Sequence, residues 1–259
     1  MKQLRCALLP MALVLGTACA ALTEPAFAQQ DITILAPGGA VPPVNALIPD
    51  FESKTGYKVK LTSGSGLGTK KQITEGDPFD VSVLQPPFPE VLASGNVVVK
   101  SQRPLASVAV GVAVRKGAPK PDISTAAAVK KLLLSVKSLA YPDSAGGAAA
   151  GVSFDATLNQ LGIMDQVKAK IVHAKGGAGA MDAAAKGEVD IGLTYLSEMD
   201  NPGIDIVGPL PAAISPPTQL VAFVGTHARN PKAAQALVDY LSSPEAAGAY
   251  KAVGLVPHH

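Results

Sequence analysis

From Ile32 onward, short β-branched runs alternate with stretches whose apolar residues recur at helical spacing, and turns of glycine, serine and proline separate the two. Ile32–Leu35 reads as a strand. Val44, Leu47, Ile48 and Phe51 then mark one face of a helix that opens near Pro42 and Pro43 and closes at Gly56. Pro49 falls inside that helix and predicts a kink. Tyr57–Leu61 and Phe79–Leu84 are the next strands, and Ser107–Val114 is a continuous apolar run of the kind a strand shows when both faces are buried. A second series follows: helix Ala126–Val136, strand Ser138–Tyr141, helix Val152–Leu161 ended by Gly162, strand Lys170–His173, helix Ala178–Lys186 and strand Asp190–Tyr195. The Pro- and Gly-rich stretch Pro202–Pro217 reads as a crossing connection, and Leu220–Val224 as a further strand. Two helices finish the chain, Pro231–Leu241 behind Asn230 and Pro244–Val253 with Ser243 as N-cap. Alternation of this kind leaves an α/β fold with mixed, mostly parallel sheets and helices on both faces.

Two of the turns are rich in hydrogen-bond donors. Ser63-Gly64-Ser65-Gly66-Leu67-Gly68 lies between a strand and the helix-like Thr69–Glu75, and Ala36-Pro37-Gly38-Gly39-Ala40 follows the first strand. Strand, glycine turn, helix is the arrangement that points free N–H groups at negative charge. Lys70 and Lys71 fall in the first turn of the expected helix, where the macrodipole disfavours cations and an anion in front would offset the cost. The plainer reading makes both lysines solvated surface charges and the glycines mere suppliers of positive φ. Gly176-Gly177-Ala178-Gly179 is a third turn of this type, read as a loop leading into the alanine-rich helix.

The first residues are expected to be removed. Lys2 and Arg5 precede the apolar Cys6–Ala21, and Ala26-Phe27-Ala28 is a small-x-small cleavage signal before Gln29, so residues 1–28 read as a signal peptide of a periplasmic protein. Cys19 invites a lipidation reading, but the usual leucine three residues upstream is missing. Cleavage takes both cysteines with it and excludes disulfides, thiol catalysis and cysteine–zinc sites from the mature chain. Stability must then come from a core, which 47% hydrophobic residues can supply. With no tryptophan, 4% aromatic residues and a net charge of +2 for the whole chain, nucleic acid is not an expected partner.

Tests for other chemistry are negative. Gly64-Ser65-Gly66-Leu67-Gly68 misses the dinucleotide fingerprint because Thr69 stands at the last glycine, and the Walker and nucleophile-elbow patterns fail as well. His173 and His227 lack metal-ligand spacing and read as structural. No metal and no cofactor are expected.

Nearly all of the mature chain, in order, resembles the type II periplasmic solute-binding proteins, specifically the molybdate-binding branch of ABC importers. The resemblance rests on Ile32-Thr33-Ile34-Leu35-Ala36, Gln72-Ile73-Thr74-Glu75-Gly76-Asp77-Pro78-Phe79-Asp80, Gly187-Glu188-Val189-Asp190-Ile191-Gly192-Leu193-Thr194-Tyr195 and the closing helices Leu237–Gly254. It implies a two-lobed α/β fold: lobe 1 from residues 29–107 and 219–259, lobe 2 from 108–218. Crossing strands near Ala106–Val112 and Pro216–Ala222 would join them, and hinge closure would trap a ligand in the cleft.

The same resemblance implies the site residues. Serines of that family on the first two turns align with Gly39 and Gly66, with Ser65 one residue away, and its closing tyrosine matches Tyr195, behind Thr194. The loop Asp143-Ser144-Ala145-Gly146-Gly147-Ala148-Ala149 corresponds to a backbone-donor loop of different length. The ligand-binding set is therefore Gly38, Gly39, Ser65, Gly66, Ser144, Gly147 and Tyr195. Glycine in place of serine keeps the donors and widens the pocket, moving weight from molybdate or tungstate towards a small carboxylate. The function implied is capture of a small anion by a monomer that delivers it to a membrane ABC permease. An enzyme is the other class: some proteins resembling this branch isomerise aconitate, and allylic proton transfer would need a base such as Tyr195, Lys70 or His173.

Overall fold

The computed structural model describes residues 31–258; the expected signal peptide and Cys19 lie outside them. In chain order the elements are β1 (Ile32–Pro37), α1 (Val41–Thr55), β2 (Val59–Gly64), α2 (Gly66–Glu75), β3 (Val81–Leu84), α3 (Pro89–Ala93), β4 (Arg103–Val108) and β5 (Val110–Arg115). Then come α4 (Ala126–Ser135), β6 (Leu139–Pro142), α5 (Ala149–Gln160), α6 (Met164–Val167), β7 (Ile171–Ala174), α7 (Gly176–Lys186), β8 (Ile191–Tyr195) and β9 (Ile204–Pro209). The last are β10 (Thr218–Val224), α8 (Pro231–Leu241), α9 (Ala247–Ala252) and β11 (Val256–Pro257).

These strands form two mixed sheets and hence two α/β lobes, ordered β11-β4-β10-β3-β1-β2 and β7-β6-β8-β5-β9. Parallel pairing is confined to β1 with β2 and β3, and to β6 with β7 and β8; the remaining neighbours run antiparallel. The apolar run Ser107–Val114 is not one strand. It divides at Ala109, giving β4 to the first sheet and β5 to the second, so one buried stretch serves both lobes. The return passes through Leu210–Pro217 into β10, which wedges between β3 and β4.

β9 lies inside the segment expected to be only a connection. Its mixed burial and its Gly208-Pro209 ending hide a strand that pairs along β5 from Gly111↔Pro209 to Arg115↔Ile204. α1 runs through Pro49; both Pro49 and Asn45, whose carbonyl loses its donor there, are exposed, so water can serve that carbonyl. The closing helix is split into a 3-10 turn, Pro244–Ala246, and α9, and Ser243 donates its hydroxyl back to Tyr240 O instead of capping. Asn230 does cap α8, accepting from Ala233 N at 3.0 Å.

The core lies between the sheets and their helices: Ile34, Val44, Phe51, Val81 and Leu237 in the first lobe, Leu133, Leu139, Phe154, Leu158 and Leu193 in the second. Burial of each such side chain stabilises by about 1.5–3 kcal/mol. A polar staple holds the first sheet to the approach of α8. Asp80, almost fully buried, accepts from Thr33 N and Arg229 N at 2.7 Å each and from Arg229 Nη2 at 3.0 Å.

Candidate functional site

Between the lobes lies a cavity of about 740 Å³, walled by the segments that leave β1, β2, β3, β6, β7 and β8. This is where open α/β sheets hold ligands, beyond the carboxyl ends of their strands.

The serine/glycine turn after β2 is shorter than its sequence implies. Parallel pairing with β1 reaches Ala36↔Ser63 and Pro37↔Gly64, and α2 begins at Gly66, so Ser65 alone separates strand from helix. Ser65 Oγ accepts from Gly68 N at 3.0 Å as N-cap, and Leu67 N donates to Gly147 O of the other lobe at 3.2 Å. Two donors of this turn are therefore occupied. Lys70 and Lys71 sit beyond the first turn of α2, which removes the macrodipole argument for an anion in front of them. Nor do Gly64, Gly66 and Gly68 supply positive φ. They permit close approach: a Cβ on Gly66 would stand 3.0 Å from Ala149 Cβ.

Three other helix starts on the wall are unserved. The Gly38–Ala40 turn that runs into α1, the start of α5 behind Ala148 and the start of α7 behind Lys175 have no side-chain cap and no acidic residue in the first turn. Gly38, Gly39, Ala149, Ala150, Gly176 and Gly177 face the cavity from these starts. Backbone N–H groups and helix dipoles thus converge on one space, an arrangement suited to binding an anion.

Set among them is a carboxyl. Glu198 follows β8 in a short 3-10 turn, lines the cavity and stands so close to Gly38 that any side chain there would collide with Oε1. Thr194 Oγ1 donates to Glu198 Oε2 at 2.6 Å. Burial pushes this carboxyl above the ordinary carboxylate range, while the Thr194 hydroxyl and the Tyr195 backbone amide hold it down. Gly177 exists for the same packing, since a Cβ would lie 2.6 Å from Thr194 Oγ1.

Tyr195 is 1% exposed and turns its ring to the wall. Its hydroxyl is already engaged, sharing a hydrogen bond with Ser153 Oγ at 3.0 Å and donating to Thr218 Oγ1 at 3.2 Å. Burial raises the phenol further above its usual value, so near neutral pH it stays protonated and is not available as a base. The ring explains Gly39: a Cβ there would come 2.8 Å from Tyr195 Cδ2.

Of the residues expected from sequence, Gly38, Gly39, Ser65, Gly66 and Tyr195 lie on the wall. Ser144 and Gly147 do not; their neighbours Asp143, Gly146 and Ala148 take that place, and Gly147 spends its carbonyl on Leu67. Lys70 faces a separate depression beside α3 and donates Nζ to Pro87 O at 2.6 Å, so it is not in reach as a base in this cavity. His173, read as structural, lines the cavity with its ring edge-on to Tyr141. The Gly176–Gly179 stretch is the first turn of α7 and part of the wall, not a loop. Gln85, Lys175 and Glu198 were not legible as site residues; the one available signal was their position just past a strand end.

The model of the family described as bacterial extracellular solute-binding protein matches residues 32–256. The chain belongs to that family. It is 34% identical over 255 residues to an aconitate isomerase of a Pseudomonas species, covering 95% of each chain. It is 32% identical over 217 residues to a molybdate-binding protein of Azotobacter vinelandii, covering 82% of this chain and 84% of that one. The solved Azotobacter vinelandii periplasmic molybdate-binding protein superposes with a TM-score of 0.73 at 23% identity, over 87% of this chain and 99% of that one, a likeness of fold. The solute-binding family and the two-lobed fold expected from sequence are thus both present.

Proposed function

We propose that this protein binds a small unsaturated polycarboxylate in the cavity and isomerises it by moving one proton between two of its carbons. The observation that carries this reading is the buried Glu198 carboxyl in the wall, hydrogen-bonded to Thr194 and set among three uncapped helix starts. An ionised carboxyl there would repel a fully ionised oxyanion, so a site built only for capture would have to keep Glu198 protonated. Proton transfer requires such a group, with its pKa lifted towards the working pH.

In the step envisaged, ionised Glu198 takes a proton from the methylene carbon next to the ligand's double bond. The electron pair shifts into the allylic system, and Glu198 returns the proton to the far carbon. No atom is gained or lost. The uncapped starts at Gly38, Ala149 and Gly176 would hold the carboxylates, including the negative charge that grows during the shift. The 34% identical relative is named as an aconitate isomerase, which supports this class of ligand.

The test is proton NMR of trans-aconitate with the protein in deuterated water. Isomerisation should appear with the wild type and vanish in Glu198→Gln while binding survives. A wild type that binds aconitate but never converts it would defeat the isomerase reading.

A second reading, favoured by the solute-binding family match and the molybdate-binding relatives, is capture of a small anion by a periplasmic monomer for an ABC permease. It expects thermal stabilisation by one anion and no turnover. Under both readings lobe 1 (29–107 and 219–259) and lobe 2 (108–218) would close on the ligand about the two crossings.

A further inference from the structure

β3 is followed directly by Gln85, a residue 3% exposed whose side chain has no hydrogen-bond partner at Nε2 or at Oε1. Buried amides of this kind are rare, since both groups lose water without replacement. Gln85 is on the cavity wall beside Gly66: a Cβ on Gly66 would stand 3.3 Å from Gln85 Oε1. It therefore marks the one part of the wall where a helix start is already served. At the head of α2, Gly68 N is taken by Ser65 Oγ and Leu67 N by Gly147 O. Two amides of this helix start are thus spent, and the unpaired side-chain amide of Gln85 stands beside it.

We infer that Gln85 is a specificity-determining residue of this site, donating Nε2–H to one carboxylate of the bound polycarboxylate; the inference rests on the polycarboxylate reading above. An amide adds a donor without adding charge, and its Oε1 rejects a second carboxylate oxygen at the same spot. An unsymmetrical ligand is thereby held one way round, with one particular carbon towards Glu198. Gly66 serves the same end by keeping the space beside Oε1 free of a side chain.

The experiment is calorimetric titration of trans-aconitate and of its saturated analogue tricarballylate into wild type, Gln85→Leu and Gln85→Glu, with thermal unfolding of each ligand-free protein. Gln85→Leu should lose about 10- to 100-fold in affinity, the worth of a hydrogen bond to a charged group. Gln85→Glu should lose more. The ligand-free Gln85→Leu protein should melt higher than wild type, because two unpaired polar groups leave the interior. Unchanged affinity, or a lower ligand-free melting temperature, overturns the assignment by making the amide a spectator or a structural partner. If the wild type binds neither tricarboxylate, the polycarboxylate reading fails by itself. The variants are then titrated with whichever of molybdate, sulfate or phosphate the wild type binds. A loss in Gln85→Leu sustains its role as a ligand contact, and equal binding, or a wild type that binds none of them, overturns it.

Discussion

The amide of Leu67 donates to the carbonyl oxygen of Gly147 at 3.2 Å, joining the head of α2 in one lobe to the loop ahead of α5 in the other. Gly147 holds φ of +81°, and a Cβ there would lie 2.6 Å from Leu67 Cβ. Two independent penalties thus fall on any substitution. Gly147→Ala should lose about 1–3 kcal/mol of stability, which for a chain of this size is roughly 2–4 °C of melting temperature per kcal/mol. It should also weaken ligand affinity, because the lobes can no longer meet at this point. Calorimetry and thermal unfolding check both; full affinity would show that closure does not use this contact.

Glu198 gives the protein a pH signature. Its folded pKa lies above the ordinary 4.5 because of burial, so the folded chain keeps the proton to higher pH than the unfolded chain does. Stability from this group is therefore intact below that value and falls as pH rises from there through the raised pKa. Glu198→Gln has no proton to lose. Its melting temperature should gain on the wild type across that window, in scans from about pH 4 to about pH 8. Parallel curves would contradict the shift.

Gly39→Ser restores the side chain expected of the molybdate-binding branch, but not its chemistry. The ring of Tyr195 occupies the space, 2.8 Å from where Cβ would be. Overpacking of this sort costs about 1–3 kcal/mol. A lower melting temperature and no gain in molybdate affinity are expected. Tight molybdate binding by the variant would mean that the ring is free to move.

Asp80→Ala removes the acceptor of Thr33 N, Arg229 N and Arg229 Nη2 at once. Loss of a buried, charge-assisted acceptor should cost about 3 kcal/mol, near 10 °C in melting temperature. Asp80→Asn, which keeps one acceptor oxygen, should fall between. Urea unfolding of both variants measures the difference.

The alternation of elements was legible because strand and helix periods differ, and α8 emerges with the bounds its sequence implies, Pro231 to Leu241. β9 was not, because an edge strand half open to solvent and ending in Gly-Pro carries the composition of a loop. The division of Ser107–Val114 at Ala109 could not be read from apolar residues alone, since the run contains no turn residue that marks a break between the two sheets.

The site was legible in its backbone and not in its side chains. Gly38 and Gly39 announce themselves by composition. Glu198 and Gln85 are single residues just past strand ends, and only the pairing of distant strands brings them to one wall. The reverse error has the same origin. Lys70 lies near the expected turn in sequence, but the helix that starts at Gly66 carries it round to Pro87.

β10 lies between β3 and β4, and β11 closes the edge beyond β4. The second sheet, by contrast, is drawn wholly from Val110–Pro209, an unbroken length of chain. A polypeptide emerging N-terminus first can therefore finish the second sheet while the first is still missing its middle strand. Until residues 218–224 arrive, β3 and β4 have no partner between them, and their open edges are exposed to other chains. Roughly the last sixth of the sequence, none of it in the cavity wall, decides when the nascent protein stops being sticky.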